Sequence, residues 1–395
     1  MANFLKMTEL DLTNQRVLIR CDFNVPIKDG KVINCERINR ALPTIHLARK
    51  TGAQVILMSH FGQPTEGHFD SAFSLRLVCD LLSEALGEVV LLIQDPWATD
   101  LPTKAPILLL ENTRFWPGEL ENSTKLARRL ADLADVFVMD AFATAHRAHA
   151  STVGVALAAK LACAGPLLCE ELDALEKALT KPKKPVAAIV GGAKISTKIK
   201  LIDSLLSKVD CLIVGGGIAN TFLLAQGYEV GTSLVERDCT LYAKDALKRA
   251  EELGVSIPLP TDVVVAPCVD LNNQATVRLV SDISPNEAIF DLGPITSHHY
   301  SSLLGSMKTI LWNGPVGLFE VPAFSEGTRI IAKGVADSPA YSVVGGGDTL
   351  AAIEQFNVHA EMSYISTGGG AFLAWCEGQP LPAVSALIAS VKDNI

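Results

Sequence analysis

One repeated pattern constrains this chain most: short runs of aliphatic and β-branched residues that end in glycine, asparagine, aspartate or histidine and lead into longer amphipathic stretches. The first half carries "RVLIRCDF" (16–23), "QVILMSH" (54–60), "EVVLLI" (88–93), "PILLLE" (106–111) and "VFVMDAF" (136–142). The second half carries "VAAIVGG" (186–192), "CLIVGGG" (211–217), "DVVVAP" (262–267), "TILWNG" (309–314), "YSVVGGG" (341–347) and "YISTGGG" (364–370). Runs this continuously apolar suit parallel strands covered on both faces, whereas half-exposed strands would alternate. The pattern predicts an α/β fold in which each half is a doubly wound parallel sheet.

A helical pattern separates the halves. In "EELDALEKALTKPKKP" the side chains of Leu172, Leu175 and Leu179 share one face, and a lysine and proline cluster closes the segment. It is placed as an interdomain helix and linker at 171–185, between domains at 1–170 and 186–377. The length of 395 residues accommodates two domains, and 49% hydrophobic residues supply their cores. A net charge of -9 argues against a general nucleic-acid or anionic-membrane binder, so any basic site is local. Nine cysteines, odd in number and never spaced C-x-x-C, indicate neither a disulfide framework nor a thiolate zinc site. The opening "MANFLKMTELDLTNQ" lacks the apolar run of a signal peptide, and no apolar stretch approaches the ~20 residues of a membrane span. The expectation is a cytoplasmic protein.

Open parallel sheets bind ligands beyond the carboxyl ends of their strands. In the first half those ends carry Asp22, Asn24, His60, Arg114 and the group His146, Arg147 and His149, with Arg37 following a turn in "DGKVINCERI". In the second half they carry glycine: "GGAKISTK", "GGGIAN", "NGPVGLFE", "GGGDT" and "TGGGA". Guanidinium forks bind anionic oxygens bidentately, and glycines let backbone N–H groups approach phosphate at a helix start. Two anionic substrates, one per half, would account for the split.

Each feature also has a plainer use. A triple glycine serves a tight αβ turn as well as a phosphate, and Asp348 can cap a helix as well as bind a metal. Arg37 or Arg114 alone would be a solvated or capping charge, His60 a packed histidine, and Trp116 and Trp312 core or surface aromatics. Neither a Walker loop nor the dinucleotide fingerprint is present. The two histidines of "AHRAHA" (145–150) are three apart, a spacing that on a helix could serve one zinc ion, but no further ligands accompany them.

Taken in order, "RCDFNVP", "SHFGQP", "ENTRFWPGE", "DAFATAHRAHAST", "GGAKISTKI", "WNGPVGLFE", "GGGDT" and "STGGGA" resemble the phosphoglycerate kinase family along essentially the whole chain. The resemblance implies two Rossmann-like domains joined by an interdomain helix and hinge. It implies reversible transfer of phosphate from 1,3-bisphosphoglycerate to ADP, giving 3-phosphoglycerate and ATP in glycolysis and gluconeogenesis, with lobe closure. It also implies a monomer that uses Mg²⁺ and small-molecule substrates, with neither nucleic acid nor membrane as partner.

Carried over by position, the resemblance gives 3-phosphoglycerate to Asp22, Phe23, Asn24, Arg37, His60, Phe61, Gly62, Gln63, Arg114 and Arg147. Lys194 and Lys198 would contact nucleotide phosphate and Glu320 the ribose, while Gly215, Gly216 and Gly217 would lie near adenine. Gly346, Gly347, Asp348 and Thr349 would form the phosphate loop, with Asp348 facing Mg²⁺. Arg37 and Lys194, with the amides of Gly369 and Gly370, would meet the transferring phosphoryl group. Segment 378–395 would return to the N-terminal domain. His149 becomes a polar neighbour of Arg147, and His146 structural. The family's usual S-H-L-G-R-P reads "SHFGQP" here, so Gln63 replaces a positive charge near the substrate. A nucleotide-dependent dehydrogenase, a non-catalytic phosphate-binding scaffold and a kinase with lost activity are the competing readings.

Overall fold

The computed structural model describes residues 3–98, 101–102, 106–269 and 275–392. The chain divides into two compact units, one formed by Met1–Leu172 with Pro380–Ile395 and the other by Asp173–Gln379.

The first unit holds β1 (Arg16–Arg20), a small hairpin of β2 (Ile27–Lys28) and β3 (Lys31–Val32), then β4 (Gln54–Met58), β5 (Val90–Ile93), β6 (Ile107–Leu110), β7 (Val136–Met139) and β8 (Ala162–Ala164). Six of these make one sheet in the order β5-β6-β4-β1-β7-β8, parallel throughout. The chain winds outward from β1 to one side and later to the other, so the order reverses beside β1. That is where a doubly wound sheet opens a crevice at its carboxyl edge. Helices α1 (Glu36–Lys50), α2 (Arg76–Leu86), α3 (Thr124–Ala131) and α4 (Val155–Ala158) connect the strands, and α5 (Pro166–Leu175) follows β8. Val17, Ile19, Val55, Leu57, Ile107 and Val138 face the inward sides of α1 and α2 in one apolar core.

The second unit holds β9 (Val186–Val190), α6 (Ile199–Leu206), β10 (Cys211–Val214), α7 (Gly216–Ala225) and α8 (Thr240–Leu253). It continues through β11 (Asp262–Ala266), β12 (Thr276–Leu279), β13 (Ala288–Leu292), α9 (Pro294–Gly305), β14 (Thr309–Asn313) and α10 (Glu326–Ala336). It ends in β15 (Tyr341–Gly345), α11 (Gly347–Gln355), β16 (Tyr364–Ser366) and α12 (Gly370–Cys376). A five-stranded parallel sheet runs β10-β9-β14-β15-β16, with its order reversing beside β9. The final helix, α13 (Pro382–Lys392), belongs to the first unit, where it packs on α4 and β8 and the Ala383 N–H donates to the Ala145 carbonyl at 3.1 Å.

The α/β class and the two parallel sheets agree with the sequence. Two details differ. "DVVVAP" is not a parallel strand: as β11 it is the centre of a separate antiparallel sheet, β12-β11-β13. A central strand is apolar on both faces whichever way its neighbours run, so the run carried no sign of direction. The helix expected at 171–185 starts earlier, at Pro166, and continues past α5 in a wider π-type turn only as far as Thr180. Leu172, Leu175 and Leu179 are all buried along it, as their spacing indicated. No helix among the described residues is long and apolar enough to cross a membrane.

Candidate active site

In the first unit the strand ends beside the crevice are tied to one another. After β1, Asp22 Oδ1 accepts the Asn24 N–H at 3.1 Å, and Asn24 Oδ1 accepts the Gly62 N–H from beyond β4 at 2.8 Å. The Phe23 N–H donates to Ser59 Oγ at 2.9 Å, and Phe61 exchanges two hydrogen bonds with the Asn112 amide beyond β6. Phe23 and Phe61 are buried, so they place backbone rather than offer ring surface. Arg37, in the first turn of α1, pairs with Asp22, and Arg114 donates to the Gly62 carbonyl while its buried Nε has no partner. An unsatisfied buried donor is an uncommon and costly arrangement, and it suits a ligand oxygen.

Beside them lies a residue of "RCDFNVP" to which the sequence assigns no role. Arg20, only 1% exposed, donates to the Cys21 carbonyl, to Ser151 Oγ at 3.1 Å and to His60 Nδ1 at 3.2 Å. A guanidinium has no acceptor, so Nδ1 must accept, and the ring proton sits on Nε2 as a donor. Burial, then Arg20, Arg114 and Arg147 hold the His60 pKa far below its ordinary value, so His60 is a neutral donor rather than a cation. His149 is lowered to about 4, first by burial and then by the same arginines. Glu119 answers the cations: fully buried, it accepts from the Ser151 N–H at 2.9 Å and Ser151 Oγ at 2.5 Å. A charge at the end of an apolar strand, as in "RVLIR", was the sequence signal for Arg20.

Arg147 is exposed, and its Nε donates to His146 Nε2 at 3.3 Å. The two histidines do not share a helix, because the helical turn Phe142–Thr144 ends before them and the next begins at Ala150. No group of three or more His, Cys, Asp or Glu is placed to hold a metal among the described residues. Gln63 lies exposed beside this cluster.

In the second unit the strand ends enclose a cavity of about 310 Å³. Gly216, Gly217, Glu320 and Asp348 line it, as the sequence suggested. Its apolar walls, Leu234, Phe290, Val316 and Leu318, and its polar residues Asn220 and Asp291 were not legible in any motif. Phe290 and Asp291 come from β13, an edge of the antiparallel sheet. Gly216 has φ +63°, and a Cβ there would stand 2.8 Å from the Gly192 carbonyl oxygen.

Helices α7, α11 and α12 have Gly215, Gly346 and Gly369 at their N-cap positions, where no side chain can cap them. At α7 the Gly216 and Ile218 N–H groups donate to the Val316 and Gly192 carbonyls at 2.9 and 3.3 Å, and at α12 the Ala371 N–H donates to the Gly368 carbonyl at 3.0 Å, so α11 is the start whose first N–H groups and positive dipole end best suit an anion. Asp348 is therefore not a cap but a residue of the first turn of α11. Gly346 has φ +101°, and a Cβ would come within 2.7 Å of Asn313 Nδ2. Asn313 explains that closeness: it donates to the Gly345 carbonyl at 2.7 Å and accepts from Lys198 Nζ at 2.6 Å. Thr349 Oγ1 accepts the Gly314 N–H at 2.7 Å, closing the loop from behind. Burial lowers the pKa of Lys198. Lys194 is exposed, and Gly347, Gly369 and Gly370 stand with it outside the lining of the cavity. Trp116 and Trp312 are core residues.

The whole arrangement matches one known family. The family model described as phosphoglycerate kinase aligns with residues 7–379. This chain belongs to the phosphoglycerate kinase family. It is 54% identical over 388 residues to the phosphoglycerate kinase of Coxiella burnetii, covering 98% of this chain and 99% of that one. It is 53% identical over 386 residues to that of Francisella philomiragia, covering 98% of each. The solved structure of the Coxiella burnetii kinase superposes with a TM-score of 0.94 at 55% identity, over 97% of this chain and 98% of that one. The Pyrococcus horikoshii kinase gives 0.81 at 31% identity, over 98% and 99%. Likeness of fold thus persists where nearly 70% of the aligned residues have changed.

Proposed function

We propose that the chain catalyses reversible phosphoryl transfer from 1,3-bisphosphoglycerate to ADP, giving 3-phosphoglycerate and ATP, the glycolytic reaction of its family. The observation that carries this reading is the pairing of a cationic side-chain cluster in one unit with glycine helix starts in the other, of which those of α7 and α11 reach a cavity through Gly216, Gly217 and Asp348.

In this reading Arg37, Arg114 and Arg147 hold 3-phosphoglycerate, with His60 donating from Nε2 and Asp22, Asn24 and Gly62 fixing the loops. Phe23 and Phe61 support those loops, and Gln63 stands at the rim. The nucleotide occupies the second-unit cavity, its base against the glycines after β10 and its ribose at Glu320. Its phosphates meet Lys194, Lys198 and the amides of Gly346, Gly347 and Thr349. Asp348 fits Mg²⁺, since that ion takes one or two carboxylates and completes its shell with water and substrate phosphate. When bound, it would neutralise charge on the nucleotide phosphates.

The ADP phosphate and the glycerate carboxylate are already ionised near neutral pH, so neither needs a general base. The residues have two tasks: to align the groups in line and to stabilise charge on a loose transition state. Arg37, Lys194 and the amides of Gly369 and Gly370 are assigned to the transferring phosphoryl group. Because donor and acceptor are assigned to different units, closure on the substrates is part of the proposal. So are a monomeric working form and a cytoplasmic setting. Incubation with ATP, Mg²⁺ and 3-phosphoglycerate in the presence of hydroxylamine traps the acyl phosphate as a hydroxamate. A folded chain that yields none overturns the reading.

A further inference from the structure

We propose that Glu236 is a positioning residue for the lysines of the nucleotide unit, Lys194 above all; the proposal rests on the reading above. The two lysines bracket a single 3₁₀ turn, Ile195–Thr197, with Lys194 as its N-cap and Lys198 as its C-cap. Lys194 offers the turn no side-chain cap. Glu236, from the segment that precedes α8, supplies it: Oε2 accepts the Ser196 N–H at 2.8 Å and Oε1 accepts Ser196 Oγ at 2.7 Å. Two oxygens held by one residue fix the direction of the turn as well as its place. Within the turn, Thr197 Oγ1 donates to the Lys194 carbonyl at 2.8 Å, and the Lys198 N–H donates to the Ile195 carbonyl at 2.8 Å.

The other end of the strap is anchored in the cavity wall. The Glu236 N–H donates to Thr221 Oγ1 at 3.3 Å, and Thr221 Oγ1 donates to the Gly217 carbonyl at 2.9 Å. The Asn220 amide donates to the Leu234 carbonyl at 3.1 Å. Gly217, Asn220 and Leu234 all line the cavity, so one residue joins the lysine turn to the wall against which a nucleotide would lie. The Ser196 hydrogen bonds, with Lys194 nearby, keep the Glu236 carboxyl below its ordinary pKa and hence ionised. Lysine is a point charge on a flexible stem, so its aim depends on where its backbone is held. Misplacement by about 1 Å can cost roughly 10²-fold in rate.

The test is steady-state kinetics of the full chain. Glu236→Ala lowers kcat by about tenfold and raises KM for ATP, while KM for 3-phosphoglycerate stays put. Ser196→Ala, which keeps the N–H, moves the same parameters less, and Glu236→Gln, which keeps one acceptor, restores part of the loss. In combination with Lys194→Ala the losses in kcat are less than multiplicative, because the aimed group is already gone. Multiplicative losses, or equal rises in both KM values, overturn the proposal, and Ser196→Ala decides the matter if Glu236→Ala does not fold. Absence of acyl phosphate with the unaltered chain would instead overturn the functional reading.

Discussion

The two units gather donors for anions from opposite materials. In the first unit the donors are charged side chains, and the cluster is built around counter-ions: Arg37 on Asp22, and buried Arg20 beside Glu119 and Ser151. In the second unit most of the assigned donors are backbone N–H groups at the glycine starts of α11 and α12, which carry dipoles but no net charge and so need no counter-ion. The difference teaches where each site is fragile. Charge balance supports the first, and backbone conformation supports the second.

The largest expected effect follows from that contrast. Glu119 is completely buried, and burial raises its pKa against the pull of Arg20 and Ser151. Glu119→Ala removes the larger of two anionic influences on Arg20, Asp22 being the other, and takes the acceptor from the Ser151 N–H and hydroxyl. Each buried donor left without an acceptor costs about 1–3 kcal/mol, so denaturant unfolding should show a loss of at least that size. Glu320 is exposed in its unit. Glu320→Ala should therefore move stability by no more than about 0.5 kcal/mol. Comparable losses from the two substitutions would break the comparison.

Next in size is Lys194→Ala, the one substitution in the second unit that removes a full charge assigned to the reacting group. It should lower kcat by roughly 10² or more, the scale of one preorganised electrostatic contact. Binding of 3-phosphoglycerate, measured separately by titration, should be unchanged. Near-normal turnover would remove Lys194 from that role.

The sequence made the second unit's glycines and the first unit's Arg114 and Arg147 legible for the same reason. Each sits just after an apolar run, where chain order alone marks a strand end. What stayed hidden were pairings between residues far apart in the chain. Nothing in "PGEL" announces that Glu119 lies under Arg20, and nothing in "AIFDL" shows that its strand pairs antiparallel with β11 to wall a cavity. Asn313 is similar: in "WNGP" it reads as a turn residue, yet it holds both Lys198 and the Gly345 carbonyl. Glu236 lies in no motif at all.

Arg147 tests whether the first unit's exposed cations act on one substrate alone. The residue is exposed, and its side chain has His146 Nε2 as a polar partner at 3.3 Å among the described residues, so removing it leaves the fold intact. Arg147→Ala should raise KM for 3-phosphoglycerate roughly tenfold, as expected for a lost charge-assisted hydrogen bond, and leave KM for ATP within error. Equal effects on both substrates would show that the cationic cluster and the glycine cavity do not divide the ligands as assigned.

The smallest effect probes the one position where this chain withholds a charge from its cationic cluster. Gln63 is exposed and can donate a hydrogen bond, but unlike arginine it adds nothing to the field around the substrate. Gln63→Arg adds a guanidinium in water, where a charge contact is worth about 0–1 kcal/mol. The affinity for 3-phosphoglycerate should therefore rise by only about two- to fivefold at low salt. The gain should shrink as ionic strength increases, because exposed charges are screened over about 10 Å at 0.1 M. Affinity for ATP should not change, since the cavity proposed for the nucleotide is built in the other unit. A gain that survives high salt would mean that the new arginine reaches the substrate directly, and no gain at all would mean that Arg37, Arg114 and Arg147 already saturate the phosphate.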